Sequence, residues 1–237
     1  MDSLETLKEQ LVTASRVMTN EGLTRSHGHI SARIPDSDQF IMPAQKAPGA
    51  VSYSDILTFD LKGDKVSGHG LPNAETCMHS QIYVSRPDVM SVAHTHSPMV
   101  ILLSTVGQTV RPLTIIHGLY FADGVPLFKE TEIIVTHALA KKVADLLGPH
   151  RAIMLRGHGA NIVGPELRRT CIAAIDLEES AKMQVMATTL GTPQFFTPEE
   201  IAAGSASTPR GPDWTAEMLP QVRRMWDYFV GRLPTKD

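Results

Sequence analysis

Two histidine motifs, each at the end of a short apolar strand, restrict the folds that are open to this chain. His94 and His96 lie at the end of the run 89–95, and His158 follows the run 152–155. Side chains two residues apart on a strand point to the same face of a sheet, so His94 and His96 can bind one ion together. On spacing alone, a pair of half-buried histidines at a sheet end is an equally good interpretation.

His158 lies between Gly157 and Gly159. Flanking glycines permit a tight turn and a close approach of the backbone to a neighbouring group. A third neutral imidazole at this strand end completes a three-ligand face that leaves positions open for a substrate. We therefore predict one divalent ion on His94, His96 and His158, and three imidazoles suit zinc, manganese, iron or cobalt.

Short strands alternate with helices along the chain, which indicates an α/β domain. Helical patterns lie at residues 4–18, 73–85, 98–105, 138–147, 166–190 and 214–230, and strand patterns at 30–33, 39–42, 56–60, 65–67, 89–95 and 152–155. Weaker strand signals lie at Ile115-Ile116 and Ile133–Val135. After Gly191 prolines and small polar residues become frequent. We therefore expect a catalytic domain of residues 1–190 and a C-terminal extension of residues 191–237, which packs on its own or a neighbouring subunit.

Charge and hydropathy exclude several classes of function. The formal net charge of -3 argues against a nucleic-acid-binding protein, which would need a basic surface. Apolar runs such as Met99–Leu103 are too short to span a bilayer, and the acidic start Met1–Glu5 lacks the apolar core of an export signal. Cys77 and Cys171 have no disulfide-scaffold spacing, as expected in a reducing compartment. We expect a cytoplasmic protein that binds neither nucleic acid nor a membrane.

Glu75 is the candidate catalytic carboxylate. It lies near the start of the helical pattern 73–85, where a carboxylate commonly caps the helix or interacts with its dipole. The functional alternative is a general acid or base beside the metal. His79 lies one turn later on the same helix face, and we interpret it as a structural residue oriented by a hydrogen bond.

Five short motifs occur in one order between about residues 5 and 190. They are Gly28-His29-Ile30-Ser31, Met42-Pro43-Ala44-Gln45, Pro72-Asn73-Ala74-Glu75, His94-Thr95-His96 and Gly157-His158-Gly159. Together they resemble the class II aldolase/adducin family. The resemblance implies a three-layer α/β/α fold with a mostly antiparallel central sheet, and a homotetramer with active sites between neighbouring subunits. It also matches His94, His96 and His158 to the metal ligands, and Glu75 to the catalytic carboxylate.

The motifs differ from those of the sugar-phosphate aldolases in this family. His29 replaces an asparagine, Ala44 and Gln45 replace a Ser-Gly pair, and Asn73 and Ala74 replace a Ser-Ser pair. Several hydroxyl donors are therefore lost together. A buried phosphate needs most of its oxygens hydrogen-bonded, so a phosphorylated sugar is a poor fit.

The replacing groups suit a planar substrate that bears carboxylates, and the predicted substrate-binding residues are His29, Gln45, Lys46 and Asn73. The pattern resembles the decarboxylase branch of the family, which acts on hydroxylated aromatic or heteroaromatic dicarboxylates or on related enol carboxylates in aromatic catabolism. We predict a lyase in which loss of carbon dioxide leaves a metal-bound enolate that Glu75 protonates. The alternative is an aldolase for a non-phosphorylated hydroxy-keto substrate. A non-catalytic scaffold like adducin is disfavoured, because adducin-like members lack the three histidines.

Overall fold

The alternating apolar segments assemble into one sheet with helices on both faces. The computed structural model describes residues 3–206 and 220–234. The strands are β1 (His29–Arg33), β2 (Gln39–Pro43), β3 (Ile56–Asp60), β4 (Lys65–Ser67), β5 (Ser91–Thr95), β6 (Leu127–Phe128), β7 (Ala152–Leu155) and β8 (Gly159–Gly164). The helices are α1 (Leu4–Asn20), α2 (Thr76–Ser85), α3 (Pro98–Thr105), α4 (Ile115–Phe121), α5 (His137–Leu147), α6 (Leu167–Leu190), α7 (Pro198–Ala206) and α8 (Pro220–Gly231). None of these helices has the length and apolar character needed to cross a bilayer.

The eight strands lie in the order β4-β3-β2-β1-β5-β8-β7-β6. β6 pairs with β7 in parallel, whereas the other neighbours pair antiparallel. The sheet is therefore mixed, which corrects the expectation of a mostly antiparallel sheet. Helix α5 connects β6 to β7, and such a helical crossover brings two successive strands side by side in the same direction.

Each face of the sheet has its own apolar core, which gives three layers. Helices α1, α3 and α6 cover one face, where they bury alternate strand residues such as Ile30, Ala93 and Ile162. Helices α2 and α5 cover the other face, where they bury Phe40, Val92 and other strand residues. Successive residues such as Val92 and Ala93 point to opposite faces, as the period of two requires.

Several predicted elements differ from the observed ones. Ile115-Ile116 begins helix α4, whose first turn is capped by the Thr114 hydroxyl accepting from the His117 backbone N–H. Ile133–Val135 forms no strand, and Ile133 is 68% exposed. Apolar runs of two or three residues carry too little periodicity to separate a strand from a helix or a loop. Helix α2 begins at Thr76 rather than at residue 73.

The last helix, α8, packs against α1 and α6 of the same chain through side chains that include Trp226 and Phe229. The start of the predicted helix, residues 214–219, lies outside the described residues. A separate extension from residue 191, with contacts to a neighbouring subunit, stays a prediction.

Candidate metal centre

The two histidine motifs meet because β5 pairs antiparallel with β8. His94 and His96 lie at the end of β5, and His158 lies just before the start of β8. His94 Nε2 lies 3.1 Å from His96 Nε2. The ring centroid of His158 lies 4.8 Å from that of His94 and 5.0 Å from that of His96. With Glu75 they form a cluster in which one ligand atom per residue lies within 4.8 Å of each of the others. Three imidazoles and one carboxylate are a donor set that suits a divalent transition-metal ion.

Glu75 directs its carboxylate to the histidines and not to its own helix. It is the N-cap residue of α2, yet its side chain makes no capping hydrogen bond. Its Oε2 lies 3.6 Å from His94 Nε2 and 3.7 Å from His29 Nε2, and its Oε1 lies 3.5 Å from His158 Nε2. Oε1 is buried and has no hydrogen-bond partner among the described residues. The capping interpretation of Glu75 is therefore wrong, and the orphaned oxygen fits a site for a cation or a substrate proton.

The sequence patterns do not predict a role for Asn161 in the site. It lies on β8 directly opposite His94, and its Oδ1 accepts a hydrogen bond of 2.9 Å from His94 Nδ1. With the proton on Nδ1, the lone pair of His94 Nε2 faces the cluster, which is the usual arrangement around a metal-bound imidazole. The only signal in the sequence is a lone amide in the apolar strand 159–164.

Two glycines allow the neighbouring backbones to approach β5. Gly28 has φ +97, and a Cβ there would lie 3.0 Å from the carbonyl oxygen of His94. At Gly159 a Cβ would overlap the carbonyl oxygen of Thr95. The predicted close approach of the backbone at Gly159 is thus to the end of β5, which carries His94 and is followed directly by His96. This approach brings His158 to the cluster.

At neutral pH the cluster is a carboxylate facing neutral imidazoles. Burial lowers the pKa of His94 well below its usual 6.5, that of His96 to about 4, and that of His158. Burial acts to raise the pKa of Glu75, but the neighbouring His29 and His94 outweigh it and lower the pKa to about 2. Unprotonated ligands can bind a cation without first releasing protons.

These shifts predict that the metal-free protein loses stability on acidification. The unfolded chain takes up histidine protons near pH 6.5, whereas folded His96 does so only near pH 4. The contribution of His96 to the free energy of unfolding is therefore fully present above pH 6.5 and is lost as the pH falls from 6.5 to 4. We expect the melting temperature in chelator to fall by about 5 °C or more across this window. A melting temperature that stays constant or rises on acidification would contradict the lowered pKa values of these histidines.

The four predicted substrate-binding residues have different surroundings. His29 is 4% exposed and lies beside Glu75. Asn73 is half-buried, and its Oδ1 accepts from the Glu75 backbone N–H at 3.3 Å. Gln45 and Lys46 are exposed, and the Lys46 ammonium donates to Asp55 Oδ2 at 2.7 Å. The structure thus brings His29 and Asn73 to Glu75, and the substrate-binding roles of all four residues stay predictions.

Comparisons with known proteins identify the relatives of this chain. The family model of the Class II Aldolase and Adducin N-terminal domain matches residues 9–185. The 3,4-dihydroxyphthalate decarboxylase of Arthrobacter keyseri is 26% identical over 198 residues, which cover 78% of this chain and 79% of the relative. The methylthioribulose-1-phosphate dehydratase of Pseudomonas savastanoi is 28% identical over 179 residues, which cover 70% of this chain and 87% of the relative.

Among solved structures, an L-fuculose 1-phosphate aldolase superposes on this chain with a TM-score of 0.78. The two are 22% identical, and the superposition covers 87% of this chain and 97% of the aldolase. At this level of identity the likeness shows a shared fold.

Proposed function

Because the chain belongs to the class II aldolase and adducin N-terminal domain family, we propose that it is a metal-dependent decarboxylase. Its substrate would be a hydroxylated aromatic or heteroaromatic dicarboxylate, or a related enol carboxylate. The observation that carries the proposal is that Glu75 and His29 both face the three-histidine cluster. Glu75, which can move a proton, thus lies beside the buried imidazole of His29, which can bind a carboxylate of the substrate. The relatives named as 3,4-dihydroxyphthalate decarboxylases support this substrate class.

The residues present fit a divalent ion. His94, His96 and His158 would hold it. The buried Oε1 of Glu75, which has no hydrogen-bond partner among the described residues, faces the same space and favours a positive charge there. When bound, such an ion supplies Lewis-acid stabilisation of negative charge that develops on the substrate.

Glu75 would move the proton in two stages. Its low pKa makes it a carboxylate at neutral pH, so it must accept a proton before it can donate one. A substrate hydroxyl in the cluster is a suitable source. The bond between the ring carbon and its carboxylate then breaks, the electron pair stays on the carbon, and Glu75 delivers the proton there as carbon dioxide leaves. In this proposal Glu75 acts first as the general base and then as the general acid, which specifies the general acid or base role that the sequence predicts for it.

The proposal is tested by supplying zinc- or manganese-loaded protein with 3,4-dihydroxyphthalate and measuring released carbon dioxide. L-fuculose 1-phosphate and a non-phosphorylated hydroxy-keto compound, the substrate class of the aldolase alternative, serve as comparison substrates, and we expect no cleavage of either. Cleavage of the sugar phosphate, or of a non-phosphorylated hydroxy-keto compound, without release of carbon dioxide would place the protein among the aldolases.

Replacing Glu75 with glutamine should lower kcat for the decarboxylation by about 10²–10⁴, because an amide keeps the shape of the side chain but cannot carry the proton. Steady-state kinetics on metal-loaded protein measure the effect. Glu130→Gln, which changes an exposed carboxylate paired with Lys142, is the control and should keep the wild-type rate. Equal rates for the two variants would remove Glu75 from the mechanism.

A further inference from the structure

We propose that Tyr83, Ser31 and His79 form a buried hydrogen-bonded chain that fixes His29 as a hydrogen-bond donor to a carboxylate oxygen of the substrate. The substrate class rests on the proposed function, whereas the position of the proton on His29 does not. In this proposal His79 is a positioning residue that acts through His29.

The hydrogen-bonded chain from Tyr83 to His29 is short, continuous and shielded from water. The Tyr83 hydroxyl lies 2.7 Å from Ser31 Oγ, which lies 2.7 Å from His79 Nδ1. His79 Nε2 lies 2.7 Å from His29 Nδ1. The four residues are between 0% and 4% exposed. Within this chain each hydrogen bond needs one proton, so the position of one proton restricts the positions of the others.

The protons can be assigned from the Tyr83 end. The Tyr83 hydroxyl is buried, and Ser31 Oγ is the one hydrogen-bond acceptor that the described residues place against it, so a phenol that satisfies its O–H donates to Ser31. The Ser31 hydroxyl then donates to His79 Nδ1 at 2.7 Å, because its other acceptor, the carbonyl oxygen of Val92, is 3.5 Å away. Burial lowers the pKa of His79 well below its usual value and keeps the ring neutral. The single ring proton is therefore on Nε2 and is donated to His29 Nδ1.

His29 consequently carries its own proton on Nε2. This atom is buried and has no hydrogen-bond partner in the described part of the chain, and it lies 3.7 Å from Glu75 Oε2. The opposite tautomer would place a bare nitrogen lone pair beside the carboxylate oxygen, which is unfavourable. A buried N–H that faces the cluster, and whose neighbouring acceptor Glu75 Oε2 is as far as 3.7 Å away, is suited to bind a closer anionic oxygen of a ligand.

The proton position can be measured without a substrate. In zinc-loaded protein labelled with ¹⁵N-histidine, NMR should show His29 Nε2 as the protonated nitrogen and Nδ1 as the bare one. His29→Gln identifies the two resonances, since they disappear in that variant. A proton on Nδ1 would overturn the proposal, whatever reaction the protein catalyses.

Removing one hydroxyl from the hydrogen-bonded chain tests whether that chain positions the proton on His29. In Tyr83→Phe we expect the His29 proton to divide between the two nitrogens and KM for 3,4-dihydroxyphthalate to rise about tenfold, at unchanged zinc content. Tyr53→Phe, which removes an exposed hydroxyl, is the matched control. Ser31→Ala repeats the test if Tyr83→Phe folds poorly. Wild-type spectra and KM in the variants would show that the chain is structural only. Altered spectra in a protein that releases no carbon dioxide would overturn the substrate class and leave the tautomer assignment intact.

Discussion

Replacing His94 with alanine should abolish metal binding and activity together. His94 is fully buried, its Nε2 lies within the cluster, and Asn161 holds its other nitrogen. The replacement removes one of three imidazole ligands and also leaves the amide of Asn161 without its partner, and loss of such a ligand weakens binding strongly. We expect bound zinc to fall from about one ion per chain to near zero and kcat/KM to fall by about 10³ or more. Elemental analysis and steady-state kinetics on the same preparation measure both.

His137→Ala is the control for that variant, because His137 is exposed at the start of α5 and lies outside the cluster. It should keep wild-type zinc content and activity. Full turnover by metal-free His94→Ala protein would contradict both the site and the proposed reaction. Retained zinc without activity would indicate that His94 contacts the substrate and not the ion.

The second large effect is expected from Gly159→Ala. The added Cβ would overlap the Thr95 carbonyl oxygen, which belongs to the backbone of a central strand and cannot move aside as a flexible side chain can. Either β8 separates from β5 or the turn that carries His158 shifts away from His94. We expect the free energy of unfolding to fall by about 3 kcal/mol or more, together with weaker zinc binding. Urea denaturation of the metal-free and zinc-loaded forms measures the change.

Gly157→Ala separates this clash from the cost of backbone conformation. Gly157 has φ +70, and a Cβ there would meet no atom within 4 Å. Alanine at this position should therefore cost only the conformational strain, about 1–2 kcal/mol. If the two variants lost equal stability, close packing against Thr95 would not be the reason for glycine at position 159.

Local periodicity indicated part of the histidine cluster, and the resemblance to the family was needed to choose it over two half-buried structural histidines. The alternation of side chains on a strand placed His94 and His96 together, and a second strand end placed His158 within reach. The resemblance built on these motifs is confirmed by the family match over residues 9–185. The three-layer arrangement was implied by the resemblance, and it has a physical reason in the structure, because both faces of the central strands are apolar and each needs a covering layer.

The features that depend on pairing between distant segments were not predictable. Asn161 meets His94 only through the register of β5 and β8, which no local pattern encodes. β6 is two residues long, so its strand character comes from pairing with β7 and not from its own sequence. The Lys46–Asp55 ion pair likewise joins a loop to a short 3-10 helix, and it occupies the ammonium that the sequence predicts to bind substrate.

The order in which the cluster is built along the chain has a consequence for biosynthesis. Its members come from the start of α2, the end of β5 and the turn before β8, so the last of them is His158. A nascent chain still on the ribosome cannot offer the full set until His158 has emerged and β8 has inserted beside β5. Loading of the proposed ion would then be a late event in maturation, and we expect cells starved of metal to accumulate full-length chains that proteases digest more easily.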